Sequence, residues 1–295
     1  MSVNRFSEYS VIWQTSRFQI DLSQPRVMGI VNVTPDSFSD GGKYFSSASD
    51  SATVFERCAQ LVKDGADILD IGGESTRPGA TPLPLDEELA RVLPVVRQAV
   101  QLGVPVSVDT YKPEVMQAVL DLGADIINDI WALRQPGAQR VIAWHPACGV
   151  CLMHMHGEPV SMQLAPMQGD VAAQVQAFLT DRAAQLVAMG VDSRRLVLDY
   201  GIGFGKTVEQ NFSLLAGQRA LTALGYPLLA GWSRKSSLAA VAGNAVGAGP
   251  VLNVAERLLP SVVAAILAVE RGARVLRVHD VRETVQALKI WRAAT

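Results

Sequence analysis

The side chains best suited to chemistry stand at the ends of short apolar runs. Asp109, Asn128 and Asp199 each follow such a run, and their oxygens could accept hydrogen bonds from a flat ring with several N–H donors. Acidic residues are rarely buried without partners, so these positions indicate a binding site. Taken singly, Asp199 could cap the next helix and Asn128 could belong to a turn. Their coincidence favours the site.

A basic pair lies at the last apolar run. Arg277 and His279 are two residues apart, so on a strand they share one face. A guanidinium beside an imidazole suits an anion, and arginine can bind phosphate through two hydrogen bonds at once. An ion pair between Arg277 and a neighbouring carboxylate is the alternative, but the other polar run endings favour the anion site.

Three further motifs are weaker. The Gly-Ile-Gly-Phe-Gly-Lys motif that ends at Lys206 resembles phosphate-binding loops, but its spacing matches neither the nucleotide P-loop nor the dinucleotide-binding motif. Lys206 could equally be a ligand or a solvated surface charge. His154 and His156 are spaced like metal ligands but have no third ligand nearby. Cys148 and Cys151 have redox spacing but no second thiol pair. We interpret both pairs as packed residues.

Eight apolar runs must position these groups, and helical patterns lie between them. The runs, each with a polar residue at or just after its end, are Val27–Val31 with Asn32, Ile68–Ile71 with Glu74, Val104–Val108 with Asp109, Asp125–Ile127 with Asn128, Gly149–Met153 with His154, Leu196–Leu198 with Asp199, Leu228–Gly231 with Ser233, and Val275–Val278 with His279. Strands that alternate with helices form parallel sheets. Polar chemistry at one end of every run predicts an α/β fold, a single (β/α)₈ TIM barrel. The alternative, an open doubly wound sheet, would bind ligands at one switch point.

Length and composition agree with one large domain. The chain has 295 residues, 49% of them hydrophobic, and a net charge of −2. We expect residues 1–22 to form an N-terminal extension, in which residues 11–22 make a β-hairpin that closes the bottom of the barrel, and residues 23–295 to form the barrel. Without a basic field, a span of ~20 apolar residues or an apolar leader, we expect no nucleic-acid partner, no membrane partner and a cytoplasmic location.

Two long motifs, Val31–Gly42 and Gly72–Gly79, resemble the signature loops of the dihydropteroate synthases. Later motifs of that family match in order, at Ser107–Asp109, Ile127–Asp129, Gly203–Lys206, Ser233–Ser236 and Arg277–Asp280. The resemblance runs from about residue 17 to about residue 290. It departs from the family's usual residues at Tyr200, Ile202 and Leu259–Val262.

The resemblance implies a transferase of folate biosynthesis. Such enzymes condense (7,8-dihydropterin-6-yl)methyl diphosphate with 4-aminobenzoate, giving 7,8-dihydropteroate and diphosphate. It also implies Mg²⁺ as cofactor, sensitivity to sulfonamides and a homodimer. Two alternatives remain, a pterin-binding methyltransferase-type barrel and a non-catalytic paralogue. The retained loops and basic residues argue against both, because a methyl carrier needs neither a diphosphate site nor an aminobenzoate site.

The resemblance also assigns residues to four roles. The pterin-binding residues are Asp109, Asn128, Ile130, Met153, Asp199, Phe204, Gly231, Lys235 and Arg277. The 4-aminobenzoate-binding residues are Thr76, Arg77, Phe38, Pro78 and Ser233. The diphosphate-binding residues are Asn32, Thr76, Arg277 and His279, with Mg²⁺ at Asn32. The catalytic residues are Asn32, Asp36, Arg77, Lys235, Arg277 and His279.

Overall fold

Eight parallel strands close into a barrel, and two short strands pair antiparallel beside it. The computed structural model describes residues 11–34, 48–76, 79–243 and 252–295, with the backbone alone at 48–51. The strands are β1 Ile12–Gln14, β2 Gln19–Asp21, β3 Arg26–Asn32, β4 Ile68–Gly72, β5 Val106–Asp109, β6 Ile126–Asp129, β7 Gly149–Met153, β8 Leu196–Asp199, β9 Leu228–Ala230 and β10 Ala273–Val278. The helices are α1 Ala48–Lys63, α2 Leu85–Ala99, α3 Pro113–Asp121, α4 Ala138–Trp144, α5 Val171–Ala188, α6 Val208–Ala216, α7 Gln218–Leu221, α8 Ser236–Ala242, α9 Leu258–Glu270 and α10 Val281–Ala294.

Both faces of the barrel strands are covered. Strands β4 and β7 are buried at every position, as expected for parallel strands that face other strands inside and helices outside. Strand β10 pairs with both β3 and β9, which closes the sheet and excludes the open doubly wound alternative. The predicted (β/α)₈ barrel is confirmed.

The N-terminal hairpin closes the bottom of the barrel, as predicted. Trp13 is fully buried in a cluster that includes Met28 and Val275 of the barrel strands. Its indole Nε1 donates a hydrogen bond to the carbonyl of Arg195, 2.9 Å away and just before β8. The lower layer of the core is therefore sealed by residues that precede the first barrel strand.

The helices surround the strands and follow local signals in the chain. Pro113 begins α3, where its missing N–H costs nothing. Asp170 caps α5 by accepting a hydrogen bond from the amide of Ala173, 3.0 Å away. No helix in the described part of the chain is long and apolar enough to cross a membrane.

Candidate active site

The carboxyl ends of adjacent strands bring the predicted acceptors together at the upper end of the barrel. Asp109 ends β5 and pairs in register with Asn128 of β6, and Asp199 ends β8 opposite Met153 of β7. All three polar side chains are buried. The predicted grouping of two carboxylates and an amide in apolar surroundings is therefore present in the structure.

Arg277 crosses the barrel interior between two carboxylates. Its Nε donates to Oδ2 of Asp70 and its Nη2 to Oδ2 of Asp109, both at 2.6 Å. The ion pair considered as the alternative for Arg277 is thus formed, and with two partners. Burial alone would lower the pKa of Arg277, but Asp70 and Asp109 raise it above its ordinary value, so the guanidinium stays charged.

Asp109 has a buried carboxylate oxygen that accepts no hydrogen bond from the described residues. Burial raises its pKa to about 7, against the opposing effect of Arg277. Its Oδ1 is buried and has no hydrogen-bond partner among the residues that the structure describes. A buried acceptor without a partner is costly unless a ligand meets it, so this oxygen is available to a substrate donor.

Asp70 is a site residue that the sequence reasoning missed. It lies in the middle of β4, is fully buried, and accepts hydrogen bonds from Ser107, Asn128 and Arg277. The signal was present in the sequence. A carboxylate inside the apolar run Ile68–Ile71 requires partners from neighbouring strands.

A glycine-rich loop after β8 holds the next part of the site. Asp199 Oδ1 accepts a hydrogen bond from the amide of Gly201 at 2.7 Å. The ring of Phe204, farther along the loop, lies 4.4 Å from the ammonium of Lys235, a cation–π distance. A Cβ at Gly231 would lie 3.9 Å from Asp199 Oδ2, so the glycine keeps space open beside this carboxylate.

Lys206 is buried, so it is not a solvated surface charge. Its ammonium lies 2.8 Å from the carbonyl of Gly201, 3.2 Å from that of Phe204 and 3.0 Å from Nδ1 of His154. Burial lowers the pKa of Lys206 to about 7 and that of His154 to about 2. Lys206 therefore ties the loop after β8 to the end of β7.

The same loop packs backbone against backbone. Gly201 has φ of +67° and Gly205 of +68°, a conformation that side chains disfavour. A Cβ at Gly201 would lie 1.9 Å from the carbonyl oxygen of His154, and one at Gly205 would lie 2.3 Å from that of His156. The glycines therefore serve close packing as well as a tight turn.

An apolar surface lines the predicted heterocycle site. Ile130, Met153 and Phe204 form one buried cluster together with Met155 and Met162. The first three were assigned to the pterin site from the resemblance, and the structure brings them together. Flexible methionine side chains suit a flat ring that slides between apolar surfaces.

The predicted anion-binding residues lie around the neighbouring strand ends. Asn32 ends β3 and is half-buried. Ser233 Oγ lies 2.9 Å from Nδ1 of His279 and accepts a hydrogen bond from the His279 amide. Thr76 is half-buried in the loop after β4. The remaining predicted residues lie outside the described residues: Asp36, Phe38, Arg77 and Pro78.

A cluster of ion pairs that the sequence reasoning also missed anchors the loop before Thr76. Lys112 binds the carboxylates of Glu74 and Glu88. The hydroxyl of Tyr111 donates to Glu74 at 2.9 Å. The root of this loop is therefore held against the segment that follows β5.

The two cysteines of the weak redox motif are packed residues. Cys148 and Cys151 are buried free thiols whose pKa values are raised, chiefly by burial. Within the described ranges, no group of three His, Cys, Asp or Glu side chains is placed to hold a metal ion.

Comparison with known proteins identifies the class to which this barrel belongs. The family model described as pterin binding enzyme matches residues 28–279. A dihydropteroate synthase from Neisseria meningitidis serogroup B is 47% identical over 286 residues, which cover 96% of this chain and 97% of the relative. The chain therefore belongs to the pterin-binding enzymes and, within them, to the dihydropteroate synthase family.

Solved structures of the same family superpose closely. The Xanthomonas albilineans dihydropteroate synthase with 4-aminobenzoic acid has a TM-score of 0.84 at 48% identity, covering 94% of this chain and 95% of that one. The Burkholderia cenocepacia enzyme complexed with 7,8-dihydropteroate has a TM-score of 0.83 at 46% identity, covering 96% of each chain. Both are proteins to which this chain is similar over nearly its whole length.

Proposed function

We propose that this chain condenses (7,8-dihydropterin-6-yl)methyl diphosphate with 4-aminobenzoate to give 7,8-dihydropteroate and diphosphate, a step of folate biosynthesis. The observation that carries the proposal is the buried acceptor ring of Asp109, Asn128 and Asp199 at the upper end of the barrel. Pterins present several N–H donors on a flat ring, and this ring of oxygens is complementary to them. Membership of the dihydropteroate synthase family supports the same reaction.

The reaction needs positioning and charge rather than a nucleophilic side chain. The amine nitrogen of 4-aminobenzoate attacks the methylene carbon of the pterin, the carbon–oxygen bond to diphosphate breaks, and the amine proton passes to water. Asp109 and Asp199 favour positive charge that develops on the pterin and its methylene carbon. Arg277 and His279 stabilise the departing diphosphate. Fixed geometry converts the encounter into a near-unimolecular step.

Lys235 is placed to assist at the pterin ring. Its ammonium is stacked on Phe204, and burial, followed by repulsion from Arg277, lowers its pKa to about 8. A lysine in this position donates hydrogen bonds and can therefore hold a pterin acceptor. Thr76 and Ser233 complete the aminobenzoate side of the proposal.

With the described residues, a Mg²⁺ site here draws ligands from substrate as well as from the protein. Asn32 offers one amide oxygen at the end of β3, and Mg²⁺ is commonly bound by one or two protein oxygens plus substrate phosphates. We propose that Asn32 and the diphosphate oxygens hold the ion. When bound, it supplies neutralisation of the charge on the leaving group.

We also propose that two copies of the chain pair through α9, within a cytoplasmic enzyme. Leu259 and Val263 of α9 are 69% and 50% exposed, and Val241 of α8 is 54% exposed. Exposed apolar side chains grouped on neighbouring helices are typical of a surface that another protein covers. Light scattering at several concentrations, with Leu259→Glu as the disrupting variant, tests the dimer.

The enzymatic proposal has a direct test. Release of diphosphate from the pterin diphosphate should require 4-aminobenzoate and a divalent ion, with Mg²⁺ preferred, and a sulfonamide should compete with 4-aminobenzoate. Release without 4-aminobenzoate would indicate a hydrolase, and pterin binding without release would indicate a non-catalytic paralogue. Full turnover in excess chelator would exclude the proposed role of Asn32 in holding Mg²⁺.

A further inference from the structure

We propose that Asp70 is a positioning residue that fixes the amide of Asn128, so that Asn128 presents its carbonyl oxygen to the substrate ring, and at the same time fixes the plane of the Arg277 guanidinium. The proposal rests on the proposed function only in taking a pterin as the ligand.

The argument starts from the place of Asp70 in the barrel. The residue is fully buried on β4, and its three partners come from three different strands. Oδ1 accepts from Ser107 of β5 at 2.6 Å. Oδ2 accepts from Asn128 of β6 at 3.1 Å and from Arg277 of β10 at 2.6 Å. One carboxylate therefore links strands on two sides of β4.

The contact with Asn128 decides which way its amide faces. An ionised carboxylate only accepts hydrogen bonds, so the amide atom that faces Asp70 must be the NH₂ group. The amide oxygen then points away from Asp70 and is left as an acceptor. The N–H donors of a pterin require an acceptor. A flipped amide would place a donor against a donor.

The contact with Arg277 fixes a second group. Nε is bound by Asp70 and Nη2 by Asp109, so two of the three guanidinium nitrogens are held within the barrel. The plane of the guanidinium is thereby set, and Nη1 is the nitrogen outside both of these contacts. Asp70 thus orders one group for the pterin and another for the anion.

A donor–acceptor swap tests the proposal. In Asp70→Asn the side chain can present an NH₂ group to the Asn128 amide, which favours the flipped amide, and in Asn128→Asp two carboxylates face each other. Each single variant should lower affinity for 6-hydroxymethyl-7,8-dihydropterin at least about tenfold, by calorimetry. In the double variant an amide at position 70 donates to a carboxylate at position 128, which keeps an acceptor for the ring. The swap also sets the new NH₂ group against Nε of Arg277, because Oδ2 of Asp70 accepts from both residues. Affinity should therefore recover only in part, to at least about threefold above that of the weaker single variant.

Two control variants separate positioning from general damage. Asp125→Asn removes an equally buried carboxylate from the opposite end of the barrel, and Ser107→Ala removes the third partner of Asp70. Both should leave pterin affinity within about twofold of wild type, measured on folded protein. A double variant that binds no better than the weaker single variant would overturn the proposal, as would equal losses in the controls.

A measurement on the wild type remains if the variants fail to fold. The side-chain NH₂ signals of Asn128 in ¹⁵N spectra should exchange slowly with solvent both with and without the pterin, because Asp70 holds them in both states. Rapid exchange that slows only on pterin binding would show that the NH₂ group faces the ligand and would overturn the proposal. Failure of diphosphate release in an otherwise pterin-binding wild type would instead count against the proposed reaction.

Discussion

The two ends of the barrel each bury an aspartate, and the two carboxylates differ in how fully their oxygens are hydrogen-bonded. Asp125, at the bottom, accepts hydrogen bonds from the Val106 amide and from the amide, Nε and Nη2 of Arg17. Asp109, at the mouth, is bound through Oδ2 by Arg277, while its buried Oδ1 has no partner among the described residues.

The comparison separates structural from functional burial of charge. At the bottom, every oxygen of the carboxylate is used by the protein, so the cost of removing it from water is offset within the fold. At the mouth the described residues leave that cost partly uncompensated, and a ligand donor can offset it. The degree of hydrogen-bond satisfaction, rather than burial or residue type, distinguishes the two ends.

The largest expected effect is on catalysis at the mouth. Asp109→Asn should lower kcat/KM about 100- to 1,000-fold, the loss of a charge-assisted contact in a buried site. The free energy of unfolding should not fall by more than about 1 kcal/mol, because Arg277 keeps Asp70 and a poorly satisfied charge is removed. Steady-state kinetics and urea unfolding measure the two effects. A stability loss as large as that of Asp125→Asn would abolish the distinction between the ends.

The matched change at the bottom should affect stability instead. Asp125→Asn removes an acceptor for four donors and a buried partner of Arg17, so we expect a loss of about 2–3 kcal/mol in the free energy of unfolding. The kcat/KM of the folded enzyme should stay within about twofold of wild type, since this end is remote from the mouth. A large fall in kcat/KM of the folded fraction would show that the bottom controls the site.

The remaining expected effect is a pH dependence of stability that arises at the mouth. The pKa of Asp109 is raised to about 7 in the folded chain, so its contribution to stability is present below the unfolded value of about 3.9 and is lost as the pH rises through 7. Wild type should therefore lose stability relative to Asp109→Asn between pH 4 and pH 7.

The subtraction removes groups that do not interact with Asp109. Burial also raises the pKa of Asp129 to about 7, and the charge of Asp129 in turn raises the pKa of Asp109, so the difference reports Asp109 together with this interaction. Urea unfolding of the two proteins across this range provides the measurement. A difference that stays constant with pH, or that grows in the opposite direction, would contradict the raised pKa of Asp109.

The fold and the acceptor ring could be predicted from the sequence because both follow from local pattern. Each apolar run predicts where a strand ends, and parallel strands bring those ends together, so the sequence predicts that Asp109, Asn128 and Asp199 share one site. The roles of Asp36 and Arg77, outside the described residues, stay predictions.

The supporting contacts could not be predicted because they depend on register between distant strands. Asp70 and Arg277 are 207 residues apart in the chain, and nothing in either run specifies that they meet. In the sequence, Lys206 is a lysine after a glycine-rich loop, and nothing predicts that it is buried. Its burial depends on how closely that loop packs on β7. The glycines permit this close packing, but their presence does not predict it.

The plug at the bottom of the barrel has a consequence for biosynthesis. The hydrogen bond from Trp13 to Arg195 joins residues 182 positions apart, so the hairpin leaves the ribosome long before β8 exists. At about 5–20 residues per second, that interval is about 10–35 s. Throughout it, the apolar side chains of Trp13 and Ile20 have no finished barrel to enter. The hairpin is thus made well before β8 and buried only after it, so its apolar side chains stay exposed during that interval.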